Sequence, residues 1–220
     1  MDWLAVAVTL KLAACTTLLL LIVGLPLAYW LATSRWHGRM YVEAIVTLPI
    51  VLPPTVLGFF LMYAAGPRSP LGAAYLSIVG EPLVFSFAGI LAGSVVFNLP
   101  FAVRPFMVGF RSVDRTLVEA AWCLGASKSR TFAKIVLPLA APGILAGMAL
   151  TFAHTMGEFG VALMIGGNVP GITRTLSIAI YDDVQSLKYA SAAQSSALII
   201  AISFTAMILV HRLQSRRGET

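Results

Sequence analysis

Five long stretches of this chain carry no Asp, Glu, Lys or Arg: Leu12–Ser34, Ala44–Pro67, Pro82–Val103, Ile135–Gly157 and Tyr189–His211. Each runs about 22–24 residues, enough for an α-helix to cross a hydrocarbon core about 30 Å thick. A helix buried in a soluble core rarely stays uncharged for so long. The pattern predicts five spanning helices, at about 12–34, 42–65, 83–104, 134–157 and 190–211. A sixth charge-free run, Phe159–Thr173, is shorter and rich in glycine, and reads as a re-entrant or surface segment at the membrane edge. The first run is too long for the apolar core of a signal peptide and lacks an A-x-A site, so it reads as a mature span.

Between spans three and four the pattern changes. Asp114 is placed to cap a helix over about 114–125. Val113, Leu117, Ala120, Ala121 and Leu124 fall on one face of it, while Arg115 and Glu119 stand four apart and are spaced to pair. Gly125 supplies a stop, because glycine accepts the positive φ of a helix end. Ser127 caps a second helix that runs into span four, with kinks at Pro138 and Pro142. A short stiff helix joined directly to a span can transmit a push; an amphipathic helix at an interface is the plainer reading.

Span two holds Leu48-Pro49-Ile50-Val51-Leu52-Pro53-Pro54. Proline removes a backbone donor and disfavours helix in the residue before it. Two readings stand side by side: a broken helix lining a path, or a kink that shapes packing. Gly66 to Gly72 is turn chemistry, and span three closes near Asn98-Leu99-Pro100.

Composition agrees with the pattern. Of the 220 residues, 59% are hydrophobic and 11% charged, against about 25% charged in an ordinary soluble domain. The net charge of +6 follows topology. Arg35, Arg39, Arg104, Arg111, Arg115, Lys128, Arg130, Lys134, Arg212, Arg216 and Arg217 flank alternate span ends, and only Lys11, Arg68, Arg174 and Lys188 flank the others. This positive-inside alternation puts the N-terminus outside and the C-terminus in the cytoplasm. It accounts for the basic excess without nucleic acid. Cys15 and Cys123 are set apart, so no disulfide is expected, and no metal-ligand spacing exists.

Glu119-Ala120-Ala121, then Gly125-Ala126-Ser127, then Ile135-x-Leu137-Pro138 resembles the EAA motif of ABC importer permease subunits. Leu48 to Gly58 looks like the span-two signature of the sulfate, molybdate and tungstate permeases. Gly157-Glu158-Phe159-Gly160, Gly166 to Thr175 and Ala179-Ile180-Tyr181 look most like the molybdate permease. The resemblance covers essentially the whole chain as one domain, 1–220. It implies an all-α polytopic membrane protein of the type I importer kind, with five transmembrane helices and a cytoplasmic coupling helix. It also implies a bacterial or archaeal cytoplasmic membrane. The implied partners are a second copy of the chain, a dimer of ABC ATPase subunits that binds ATP and Mg, and an extracytoplasmic oxyanion-binding protein. The implied function is ATP-driven import of an oxyanion, molybdate first, then tungstate, sulfate or thiosulfate.

The chain has no G-x-x-x-x-G-K-[ST], so it binds no ATP by a P-loop and is not expected to be an enzyme. An oxyanion path needs donors without a trap. The candidates are Thr151, His154 and Thr155 late in span four, Asn168, Thr173 and Arg174 beyond it, and the break at Pro53 and Pro54. Each hydroxyl has the alternative of bonding back to its own helix. Glu158 repels an anion. It is expected near the interface, anchoring backbone donors around Gly157 and Gly160. A secondary transporter or channel would show internal repeats or paired mid-membrane acids. A membrane enzyme would gather a nucleophile and base; His37, His154 and His211 are scattered.

Overall fold

The computed structural model describes residues 2–218, so Met1, Glu219 and Thr220 of the single domain 1–220 lie outside the described residues. All regular structure among them is helical. Helix α1 spans Trp3–Thr33. It starts before the charge-free run because Asp2 accepts a hydrogen bond from the Ala5 N–H at 3.0 Å and caps it. Lys11 ends the uncharged run without ending the helix: its ammonium lies 4.2 Å from the centre of the Phe87 ring.

Span two is broken. Helix α2, Arg39–Val51, and helix α3, Pro54–Ala65, meet at 113°. Leu52 precedes Pro53 and is extended, as that position demands, and Pro54 opens α3 where no N–H is missed. Val46 packs with Leu31, Phe106 and Phe110. Leu57 packs with Phe97 and Val161, and Ala65 with Val8, Val84 and Ile90. The pair thus passes from the basic end of the bundle to the end that holds Trp3.

A turn closed by Ser69 leads into α4, Pro70–Val79, a short helix that the charge pattern does not predict. Helix α5, Phe87–Arg111, runs through Pro100 and Pro105, well past the expected end near 100–104. Proline removes a donor, but α5 is clamped between α1 and the fourth span: Ala102, Val103 and Phe106 are buried with Leu20, Ala28, Ala140 and Ile144. Burying those side chains outweighs two missing ladder bonds.

Helix α6, Arg115–Cys123, stands apart at the basic end. Ser127 caps α7, Lys128–Thr131. A π turn over Phe132–Val136 follows, then α8, Leu137–Met156. The three are continuous, and together form one span, Lys128–Met156. The π turn lies directly ahead of Pro138, whose missing N–H leaves the α ladder without its donor there.

Helix α9, Gly160–Gly166, continues from α8 after a break, and α10, Leu176–Gln185, packs on the start of α1. Helix α11, Tyr189–Gly218, is the last. Counting the broken pair once, five segments among the described residues are long and apolar enough to cross a membrane.

Candidate functional site

Two regions carry the predicted chemistry. The first is α6 and the turn after it. The Thr116 N–H donates to the Asp114 carboxylate at 2.9 Å, which starts α6 and holds that carboxyl below its usual range. Gly125 ends it with φ 82°, and its N–H reaches the Trp122 carbonyl at 2.9 Å. The Ala126 N–H binds the Ala121 carbonyl, and the Ser127 hydroxyl accepts from the Arg130 N–H.

The packing face differs from the expected one. Ala121 is buried, and Val113 and Val118 rest on the main core. Leu117, Ala120 and Leu124 face away from the bundle instead, with Leu117 49% and Leu124 89% exposed. At 100° per residue Leu117, Ala120 and Leu124 form one stripe, opposite the stripe of Arg115, Val118, Glu119 and Trp122. Arg115 and Glu119 do not pair. Both line a recess between α6 and the bundle. Beyond the turn, Ile135 is half-buried and Leu137 packs on the core, while Pro138 is exposed. The fully inward residue there is Val136, which the motif does not mark.

The second region lies where α8 stops. Glu158 is 4% exposed. Its Oε2 accepts from the Ser94 hydroxyl at 2.7 Å and from Asn98 Nδ2 at 3.2 Å. Asn98 Nδ2 also donates to the Ser94 carbonyl at 2.9 Å. With its nitrogen so committed, Asn98 turns Oδ1 to His154 Nδ1, at 2.9 Å. The imidazole therefore donates from Nδ1, and in its neutral form Nε2 is an acceptor. Phe101 stacks on that ring at 3.9 Å and Phe97 stands at 5.2 Å.

This placement corrects two expectations. Ser94 and Asn98 lie about two and three turns inside α5, roughly 10 and 16 Å from its Phe87 end, so Glu158 is at membrane depth and not at the interface. It binds side chains of α5 rather than backbone donors at Gly157 and Gly160. The physical reason is that the chain goes on past Glu158 as α9, packed along α5, until the Phe85 N–H bonds the Ile165 carbonyl. Gly160 lets the α8–α9 break touch the break in span two: a Cβ there would come within 2.8 Å of the Pro54 Cβ. Pro53 and Pro54 are thus beside the 157–160 break.

Of the predicted path residues, the structure gathers Pro53, Pro54, Thr151, His154 and Thr155 around this break. The Thr155 hydroxyl bonds back to the Thr151 carbonyl at 2.8 Å, as helix hydroxyls do. Thr151 Oγ1 and Glu158 Oε1 are buried without a partner. Asn168, Thr173 and Arg174 lie elsewhere, at the Trp3 end. Asn168 donates to Asp182 at 2.7 Å, and Thr173 ties Val169 to Gly166. Arg174 pairs with Asp2 at 3.2 Å and Asp182 at 3.3 Å. Sequence reasoning missed Ser94 and took Asn98 as the end of a span. An amide within an apolar run is itself the signal, since lipid offers it no partner.

Residues 24–219 match the family described as binding-protein-dependent transport system inner membrane component. The molybdenum transport system permease protein ModB of Azotobacter vinelandii is 44% identical over 98% of this chain and 95% of its own length. The protein of the same description from Escherichia coli K12 is 34% identical, over 94% of this chain and 91% of its own. Among solved structures, a bacterial ABC transporter involved in the import of the acidic polysaccharide alginate superposes with a TM-score of 0.77. It has 16% identity and covers 97% of this chain and 78% of that one, a likeness of fold.

Proposed function

The chain belongs to the family of binding-protein-dependent transport system inner membrane components, and from that premise we propose that it is the membrane permease subunit of an ATP-driven molybdate importer. The observation that carries the reading is the outward stripe of Leu117, Ala120 and Leu124 on a helix whose other side packs on the bundle. Leucines left facing water mark a partner surface. The partner is a dimer of ABC ATPase subunits, which binds ATP and Mg. The relatives' description as molybdenum permeases supports the choice of oxyanion.

The positive-inside distribution supports an outer N-terminus, a cytoplasmic C-terminus and a cytoplasmic α6. A second copy of the chain completes the path around a two-fold axis. The bare apolar flank of α11, with Ile200 68% and Phe204 66% exposed, supports either that contact or lipid. An extracytoplasmic binding protein delivers the anion to the Trp3 end.

The mechanism is alternating access. ATP binding draws the two α6 helices together, and the rigid run from Ser127 through α8 carries that motion into the membrane. Docking shifts the equilibrium because α6 meets the two ATPase states differently. The anion passes the contact between the two breaks, where Thr151 and His154 offer hydrogen-bonding groups and non-helical backbone lines the way.

The test is reconstitution with the ATPase and cognate binding protein in liposomes. ATPase activity and uptake should be stimulated by molybdate more than by tungstate, sulfate or thiosulfate. A preference for sulfate would overturn the substrate. Stimulation by none of them would overturn the oxyanion reading.

A further inference from the structure

A recess of about 500 Å³ lies between α6 and the basic end of the bundle. Three arginines line it from three elements: Arg35 after α1, Arg111 at the end of α5 and Arg115 at the start of α6. Its apolar wall is built from Tyr29, Phe110 and Trp122. Two carboxylates oppose the three cations: Glu119 in the wall, and Glu43, which approaches Arg111 at 3.5 Å. Positive charge is therefore left over beside an aromatic surface.

The chain has four tryptophans, and three of them, Trp30, Trp36 and Trp122, surround this end. Trp36 is 58% and Trp122 48% exposed, and Trp30 and Trp36 lean together at 6.0 Å. Tryptophan concentrates where headgroups meet acyl chains. The recess thus stands at headgroup height. It also lies behind α6, on the stripe opposite Leu117, Ala120 and Leu124, so docking of a partner on that stripe leaves it open.

We propose that this recess binds the phosphate of an anionic phospholipid. The guanidinium forks engage the phosphodiester oxygens, and an acyl chain leaves along the aromatic wall. Bound there, the lipid braces α6 against the bundle. The site is independent of which oxyanion is carried; its leaflet rests on the cytoplasmic placement of α6 given above.

The experiment uses the permease–ATPase complex in nanodiscs of phosphatidylcholine with a minor share of phosphatidylglycerol, read by native mass spectrometry. Wild type should retain phosphatidylglycerol selectively. Arg35→Glu, at an exposed turn, should lower its occupancy by roughly fivefold or more, given the weight of one basic side chain at a membrane surface. Arg35→Lys should keep most of it, and Glu119→Gln should raise it. Equal retention by wild type and Arg35→Glu would overturn the proposal. So would millimolar inorganic phosphate displacing the lipid completely while binding the delipidated complex equally well, which would make this a free-anion site. Retention does not depend on transport, so a failed uptake assay leaves this result readable.

Discussion

Helix α6 and the break after α8 invert each other. α6 turns leucine side chains away from the bundle, and the Glu158 break holds a carboxylate inside an apolar bundle. Each arrangement is costly alone, and each is offset from a different source. Glu158 is offset within the chain, by Ser94 and Asn98. Leu117 and Leu124 have nothing among the described residues to cover them. One oxygen of Glu158 is thus held from within the chain, while the α6 stripe awaits another molecule.

The comparison breaks most sharply at α6. Leu117→Asp combined with Leu124→Asp should abolish co-elution with the ATPase and lower substrate-stimulated ATP hydrolysis by about 30-fold or more, as loss of interface anchors of ~2 kcal/mol or more does. The melting temperature of the permease alone should hardly move. A large fall in that temperature would mean the stripe is internal packing.

Glu158→Ala should do the reverse. It strands the Ser94 hydroxyl and an Asn98 N–H, at a cost of about 1–3 kcal/mol. The isolated permease should melt lower while ATPase co-elution survives. Glu158→Gln keeps an acceptor for both donors and should recover most of the loss. Equal melting of the Ala and Gln variants would mean that the bonds from Ser94 and Asn98 to Glu158 carry no stability.

Asn98→Leu sharpens the same point on a smaller scale. It leaves Ser94 to hold the carboxylate and frees the His154 ring, so uptake should fall more than stability does. Unchanged uptake would remove His154 from the path. Arg174→Ala should have the smallest effect on uptake, which should stay near wild type, with a stability loss of about 1 kcal/mol for these partly buried ion pairs. A several-fold loss of uptake would return Arg174 to the path.

Charge alone made the five crossings legible, because lipid excludes unpaired charge from every depth. It misplaced helix ends for the same reason. Lys11 stops an uncharged run but not a helix, since Phe87 receives its ammonium. Glu158 looks like the edge of the membrane until Ser94 and Asn98, some 60 residues away in sequence, are seen to hold it. No local pattern contains that pairing. The coupling segment was readable as a motif, since its caps are local: Asp114, Gly125 and Ser127 each act within three residues. Which of its faces packs inward was not readable, because Val118 and Leu117 are equally apolar and only the position of the bundle distinguishes them. α4 and α10 were missed because ten-residue helices at an interface leave no long uncharged run.

The π turn at Phe132–Val136 has a consequence for chain length. Inward positions along this span step from Thr131 to Val136, then to Ala140 and Ile144. The first step is one residue longer than the rest, and the wide turn absorbs the surplus. Deleting Ala133 or Lys134 would convert the turn to an ordinary α turn with both ends still in phase. The same deletion between Leu137 and Met156 would swing α6 by about 100° around the axis. The span therefore has a single place where a residue can be lost in evolution without changing where the helix at its foot points.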